Sequence, residues 1–453
     1  MSQKLYFNGI QFETGSYAVE PMLEDRFRDY VKPPPMNGQL QPKEVVAWCD
    51  MAKLDEAGWG IVFHEKEDPA VLEALEPLIR HRKNQAGERF KQICLREADL
   101  SCPPNQWMAN FQNRYELGPS GDIDPDKLPY YLLIIGKPTL IPFEFQYELD
   151  LNFAVGRLCL ENPAGYAAYG QNVIETESTA SYRKKEAVFF NAVNDEITYL
   201  WTSKVAEPIK QRLKKLQPEW EVECVRGPSA TRDRLGQVLG GPATPSLLMT
   251  SGHGVLSSSP DPFERMRLQG GLLCSDWGGF GEKIKPEYGF FADDVGVDLN
   301  MNGCMAFFFA CFTAGTPRFD NFISHDLEPK ELHPHAYVAS LPQALLGHKR
   351  GPLAIIGHVD KAFDYSFLWD KKIHEITHFI SLFFEIMEGV RIGEAMGVLN
   401  RRFAEISAQV MARKMRQGPD DRDFFRTWMA WYDSRNYIIL GDPAVRLQNG
   451  VAG

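Results

Sequence analysis

The chain has 453 residues, 44% of them apolar, 24% charged and 12% aromatic, a balance that excludes extended disorder and supplies material for a large core. Its 49 basic and 60 acidic residues leave a net charge of −11 with no long basic run, so nucleic acid is not expected as a direct partner. No apolar run reaches the ~18 residues that a bilayer demands, and the N-terminus has no charged stretch followed by an apolar one, so no membrane partner and a cytoplasmic location are expected.

The length predicts two α/β regions, 1–178 and 179–453. In the first, Pro33, Pro34 and Pro35 mark a loop, and Pro69 to Lys83 has the apolar spacing of a helix face. Tyr130 to Gly136 is a short apolar run closed by Gly-Lys-Pro, which predicts a buried strand. Leu149 to Arg157 reads as another strand or as a loop under the sheet. The roughly 130 residues before these carry no assignable chemistry, which makes the region a candidate regulatory or pseudo-catalytic subdomain.

From Tyr182 a regular alternation begins. Strands are predicted at Ala187–Val193, Trp220–Val225 and Ser246–Thr250, separated by helices at Glu196–Leu216, kinked at Pro208, and Ala230–Leu239. Such a series builds a parallel sheet. Residues 255–300 are rich in Gly, Ser, Pro and Asp, and loops of that length in compact domains usually serve function. Met305–Ala310 and Leu353–Gly357 are the fourth and fifth strands, followed by helical stripes at 373–387 and 392–410 and an apolar Tyr437–Pro443. The eight cysteines are scattered without a C-x-x-C pair, which fits buried reduced thiols better than a disulfide frame or a zinc knuckle.

Chemistry concentrates at two predicted strand ends, where open α/β sheets place their ligand crevice. The third strand runs into Ser251-Gly-His-Gly254 and the fourth into Ala310-Cys-Phe-Thr. A thiol needs a neighbouring base to become a thiolate, and a histidine can supply that and later protonate a leaving amine. His253 and Cys311 therefore form the candidate catalytic dyad, with the backbone N–H groups of Gly254 and Cys311 as oxyanion donors. Cysteine is also among the most buried residue types, and Cys304, at the other end of the same strand, illustrates that bland role. A second constellation competes: His374-Glu375-Ile-Thr-His378 fits the H-E-x-x-H pattern of zinc peptidases, although the two histidines fall off the apolar stripe, Lys371 and Lys372 precede them, and no third ligand is evident. His358 ends the fifth strand and is an alternative base; His325, His333 and His335 gather in a polar loop.

The same residues resemble the CHAT-type and gingipain-like cysteine peptidases, relatives of caspases. The resemblance rests on Thr250-Ser-Gly-His-Gly254, Gln269 to Asp276, Ala310-Cys-Phe-Thr-Ala314 and Tyr437 to Leu447 with its Gly-Asp-Pro, and extends more faintly to Leu132–Gly136 and Ala154–Arg157. The His-to-Cys separation is also near the ~50 residues seen in caspases. It implies a three-layer α/β sandwich around a central, mainly parallel sheet, hydrolysis of a peptide bond in a protein substrate through a thioester, no cofactor and no metal, and a regulatory partner or activating ligand. Caspases have Gln before the Ala-Cys where this chain has Phe309, which removes the basis for Asp specificity. By the same resemblance, the residue that reads the substrate side chain follows the first catalytic strand, which nominates Asp195, with Asp360 after the fifth strand as second candidate, for a basic residue before the cut. An inactive module that only binds partners is the remaining alternative to a thiol or a zinc peptidase.

Overall fold

The computed structural model describes residues 4–5, 9–23, 26, 45–117, 122–179, 183–241, 244–320, 330–363, 367, 375–417 and 422–448. Near the N-terminus lies a short strand, β1 (Gly9–Gln11). The N-terminal region then alternates β2 (Trp59–His64), α1 (Pro69–Ala86), β3 (Phe90–Leu95), α2 (Pro104–Arg114), β4 (Tyr131–Ile135), α3 (Phe143–Asp150), β5 (Ala154–Leu158) and α4 (Pro163–Ser178). The strands alternate their side chains between two cores. Trp59 and Ile61 of β2 with Tyr131, Leu133 and Ile135 of β4 pack under α1 and α4, whereas Val62, Leu132 and Ile134 pack under α2 and α3. That two-sided burial makes three layers.

The expected alternation follows: β6 (Glu186–Asn191), α5 (Glu196–Trp201), α6 (Glu207–Leu216), β7 (Glu221–Arg226), α7 (Arg232–Gly240) and β8 (Leu247–Ser251). The kink expected at Pro208 is a π turn over Thr202–Ala206, which joins α5 to α6 and leaves the proline in α6's first turn, where its missing N–H costs nothing. The Gly- and Ser-rich stretch is not structureless. It contributes β9 (Gly254–Leu256), β10 (Leu272–Leu273) and β11 (Gly289–Phe290), which with β1 form a small sheet in the order β11-β10-β9-β1. The chain continues through β12 (Met305–Phe309), β13 (Ala354–His358), α8 (Thr377–Met387), α9 (Ile392–Gln417), α10 (Arg422–Arg435) and β14 (Tyr437–Gly441).

One ten-stranded sheet runs β3-β2-β4-β5-β14-β13-β12-β8-β6-β7. Every pairing in it is parallel except β13 against β14. Two five-stranded parallel blocks therefore meet back to back, and the α/β sandwich with a mainly parallel sheet is observed. The sequence reading missed β2 and β3 altogether, and Leu149–Arg157 splits into the end of α3 and all but the last residue of β5. No helix among the described residues is long and apolar enough to cross a membrane.

Candidate active site

β8 and β12 are neighbours, paired in parallel from Leu247↔Met305 to Ser251↔Phe309, so the segments that leave them emerge side by side. Gly252 N–H reaches Phe309 O at 3.4 Å. Gly254 lies directly on the Cys311 backbone: a Cβ there would stand 2.0 Å from Cys311 O and 2.7 Å from its N, so only glycine admits this approach. Beneath, β12 is wholly buried, with Trp201 stacked on Phe309 at 3.4 Å between ring centroids. Directly after Cys311 the chain turns through Phe312 at φ 62°, and its N–H bonds the carbonyl of Asp360, itself at φ 73°. Left-handed non-glycine residues cost about 1–3 kcal/mol each and persist where their surroundings enforce them. Here Thr313 Oγ1, hydrogen bonded to the carbonyls of Phe308 and Ala310, closes the turn.

His253 is held on one side only. Its Nε2 lies 2.7 Å from Asp195 Oδ2, the nitrogen donating because a carboxylate can only accept. The same oxygen accepts the Tyr17 hydroxyl at 2.7 Å, while Oδ1 accepts Thr198 N–H and Oγ1 as Asp195 caps α5. Asn194 Nδ2 ties this corner to the carbonyls of Cys274 and Trp277, in the loop that follows β10. Burial alone would push the Asp195 carboxyl up. The neighbouring His253 charge and the hydrogen bonds from His253, Tyr17 and Thr198 outweigh it and hold the group well below the usual carboxylate range. The other ring nitrogen, Nδ1, is buried and has no hydrogen-bond partner among the described residues.

The Cys311 side chain is fully buried, and its Sγ accepts Ala362 N–H at 3.1 Å. Burial pushes the thiol well above its ordinary range, and neither the Ala362 N–H nor the charge of Lys361 compensates. Lys361 is itself buried and paired with Asp320 at 2.7 Å.

The other nominated residues are placed as follows. Asp360 is buried and its carboxylate accepts the Tyr432 hydroxyl and the Lys361 N–H; it lines a cavity of about 170 Å³ with Glu144, Arg318 and Arg435. His358 bonds the carbonyls of Asp360 and Asp433 within the core. His333 bonds the carbonyls of His335 and Pro262, and His325 lies outside the described residues. Of the zinc pattern, His374 also lies outside them, and Glu375 precedes α8, which starts at Thr377. The pattern therefore does not ride on one helix, which its i, i+4 ligand geometry requires. Among the described residues no group of three His, Cys, Asp or Glu side chains is placed to hold a metal ion. Tyr17 had no signal in the sequence, because it meets Asp195 across 178 positions.

No protein-family model matches the sequence, and no curated protein matches it. Solved structures to which the chain is similar include one described as "Structure of Protease", at 13% identity and TM-score 0.48 over 86% of this chain and 78% of that one. A second is "Complex of Porphyromonas gingivalis RgpB pro- and mature domains", at 14% identity and TM-score 0.47 over 86% of this chain and 80% of that one.

Proposed function

We propose that this chain is a cysteine endopeptidase that cleaves a protein substrate through Cys311 and His253. The observation that carries the reading is the asymmetry of His253, whose Nε2 is anchored on Asp195 while the buried Nδ1 has no hydrogen-bond partner among the described residues, on a segment that leaves β8 alongside the one leaving β12 for Cys311. A histidine so oriented by a carboxylate is a base with one working nitrogen. In this reading Nδ1 takes the thiol proton, Sγ attacks the substrate carbonyl, and the oxyanion lies against the N–H groups of Gly254 and Cys311. The amine leaves with the proton from His253, and water, deprotonated by the same nitrogen, hydrolyses the thioester. No cofactor or metal enters these steps. Asp195, first nominated to read a basic substrate residue, becomes the positioning residue for the base, because Thr198 and His253 each hold one of its carboxylate oxygens. Asp360 remains a candidate for the substrate wall through the cavity it lines.

Three outcomes separate the readings. Alkylation confined to Cys311 is expected to stop cleavage while a chelator leaves it intact; the reverse pattern would favour the zinc pattern of His374, Glu375 and His378, and a Cys311 thiol that reacts freely without cleavage of any peptide would leave the binding module. Asp195→Asn is expected to lower kcat by about 10²–10⁴-fold with KM nearly unchanged, as loss of an orienting carboxylate does. Were Asp195 a reader of basic side chains, KM for Lys and Arg substrates would rise instead. Gly254→Ala is expected to cut kcat/KM at least about 10²-fold, since a displaced Cys311 misaligns the reacting atoms. Kinetics alongside a melting curve separates this from unfolding.

A further inference from the structure

The dyad is sealed by the chain's own N-terminal segment. His253 and Cys311 are both 0% exposed, although they sit at strand ends where this architecture opens a crevice. Part of their cover is β1 and the turn after it. β1 pairs in parallel with β9, Gly9 opposite Gly254, Ile10 opposite Val255 and Gln11 opposite Leu256. A Cβ on Gly9 would stand 3.4 Å from Cys311 Sγ and 3.2 Å from the Ala18 side chain, so the strand crosses close over the thiol with room for no more than an ordinary contact. Ala18 packs on the cluster of Leu256, Cys311 and Phe312, and Tyr17 reaches Asp195 and sets its ring edge-on to His253 at 6.0 Å.

The segment is pinned at points remote from the thiol. Glu13 accepts Ser257 Oγ at 2.6 Å, and Ser258 N–H and Oγ at 3.0 Å each. Gly15, at φ 65°, lets the turn lie against residue 282, where a Cβ would stand 1.8 Å from the Glu282 carbonyl oxygen. Phe12 sits edge-on to Phe291, and its carbonyl accepts Ile284 N–H at 3.2 Å.

We propose that residues 9–18 are a built-in cover filling the seat of an extended peptide along β9, so that the site stays latent until the segment is lifted. This rests on the peptidase reading above. β10 holds one edge of β9 and β1 the other, so departure of β1 bares a row of main-chain donors and acceptors that an incoming extended substrate can satisfy. The bared edge begins at Gly254, one residue from the base. Ile10 is wholly buried, so spontaneous opening is rare and release calls for a bound partner or a cut.

The test uses the full chain, wild type, Glu13→Ala and Gly15→Val, and follows iodoacetamide labelling of each cysteine by peptide mass spectrometry. Exposed Cys94 is the reference, and buried Cys274 and Cys304 report an intact core. In the wild type Cys311 is expected to label at least about 100-fold more slowly than Cys94. In either variant its rate should rise about tenfold or more while Cys274 and Cys304 stay protected, and cleavage of a peptide library should rise with it. Wild-type Cys311 labelling as fast as Cys94, or an unchanged rate in both variants, overturns the cover. Should both variants also expose Cys274 and Cys304, the wild type alone decides: deuterium exchange of the Gly9–Gln11 amides and Cys311 labelling must share one opening rate, and independent rates overturn the proposal. A thiol freed without any cleavage upholds the cover and counts against the peptidase.

Discussion

Cys311→Ala, assayed on protein competent for cleavage, is expected to lower kcat/KM by about 10⁴–10⁶-fold while leaving the fold unchanged, because the exchange removes one sulfur atom whose hydrogen bonds are to the N–H and carbonyl of Ala362. His253→Ala should cost a similar factor, and the double variant no more than either alone, since nucleophile and base act as one unit. The measurement is steady-state kinetics on one peptide with all three proteins. Losses that multiply in the double variant, or a Cys311→Ala protein within tenfold of wild type, would remove the dyad. Cys304→Ala is the matched control: that thiol is also buried, at the far end of the same strand.

The second large effect is on stability. Asp442, in the Gly-Asp-Pro after β14, gathers three elements of the N-terminal region. Its carboxylate accepts Arg82 Nε at 2.6 Å from α1 and Trp59 Nε1 at 2.9 Å from β2, and its N–H donates to the Tyr169 hydroxyl of α4 at 2.6 Å. Both charges are 0% exposed, and Arg82 is completed by a forked pair with Glu177 at 2.8 Å per bond. Removing one member strands the other in the core, so Asp442→Ala is expected to cost about 3–5 kcal/mol in urea unfolding, and Arg82→Met with Asp442→Leu together distinctly less than the two single changes summed. The pH dependence has a definite sign. Burial raises the Glu177 carboxyl, but the Arg82 charge and the bonds from His81, Arg82 and Gln85 hold it well below the usual range. A carboxyl depressed by folding stabilises above its unfolded value, about 4.3, and that stability drains away as pH falls further. Replacing Glu177 by Gln should flatten the acid limb of the stability curve.

Much of the catalytic half was legible because its signals are local. Apolar runs at Leu247–Ser251, Met305–Phe309 and Ala354–His358, set between helical spacings, announce parallel strands without reference to anything distant. The glycines flanking His253 announced a close approach, and Gly254 makes one. What escaped depends on pairing across the chain. β1 is three residues long and finds β9 some 245 positions away, as the contact of Glu13 with Ser258 does. β2 and β3 sit in a stretch whose apolar positions fit strand and helix alike. Asp195 was read as facing substrate because its position after β6 is visible in sequence, whereas the bond that turns it to His253 is not. The reversal of β14 against β13 was equally hidden, since an apolar pentapeptide carries no direction.

That reversal constrains the order in which the molecule is made. β14 holds the middle of the sheet, between β5 and β13, and comes after every other strand in the chain. During synthesis the four strands β3-β2-β4-β5 and the five strands β13-β12-β8-β6-β7 emerge before the strand that joins them, leaving β5 and β13 bare on the sides that β14 will cover. Until residues 437–441 have been produced, the two halves cannot share a sheet, and Asp442 cannot draw Arg82, Trp59 and Tyr169 together. A ribosome stalled before that point would hold a chain carrying both His253 and Cys311, yet with no continuous sheet beneath them. Assembly therefore waits on the final strand, and the bare edges at β5 and β13 are where a partly made copy would pair wrongly with its neighbour.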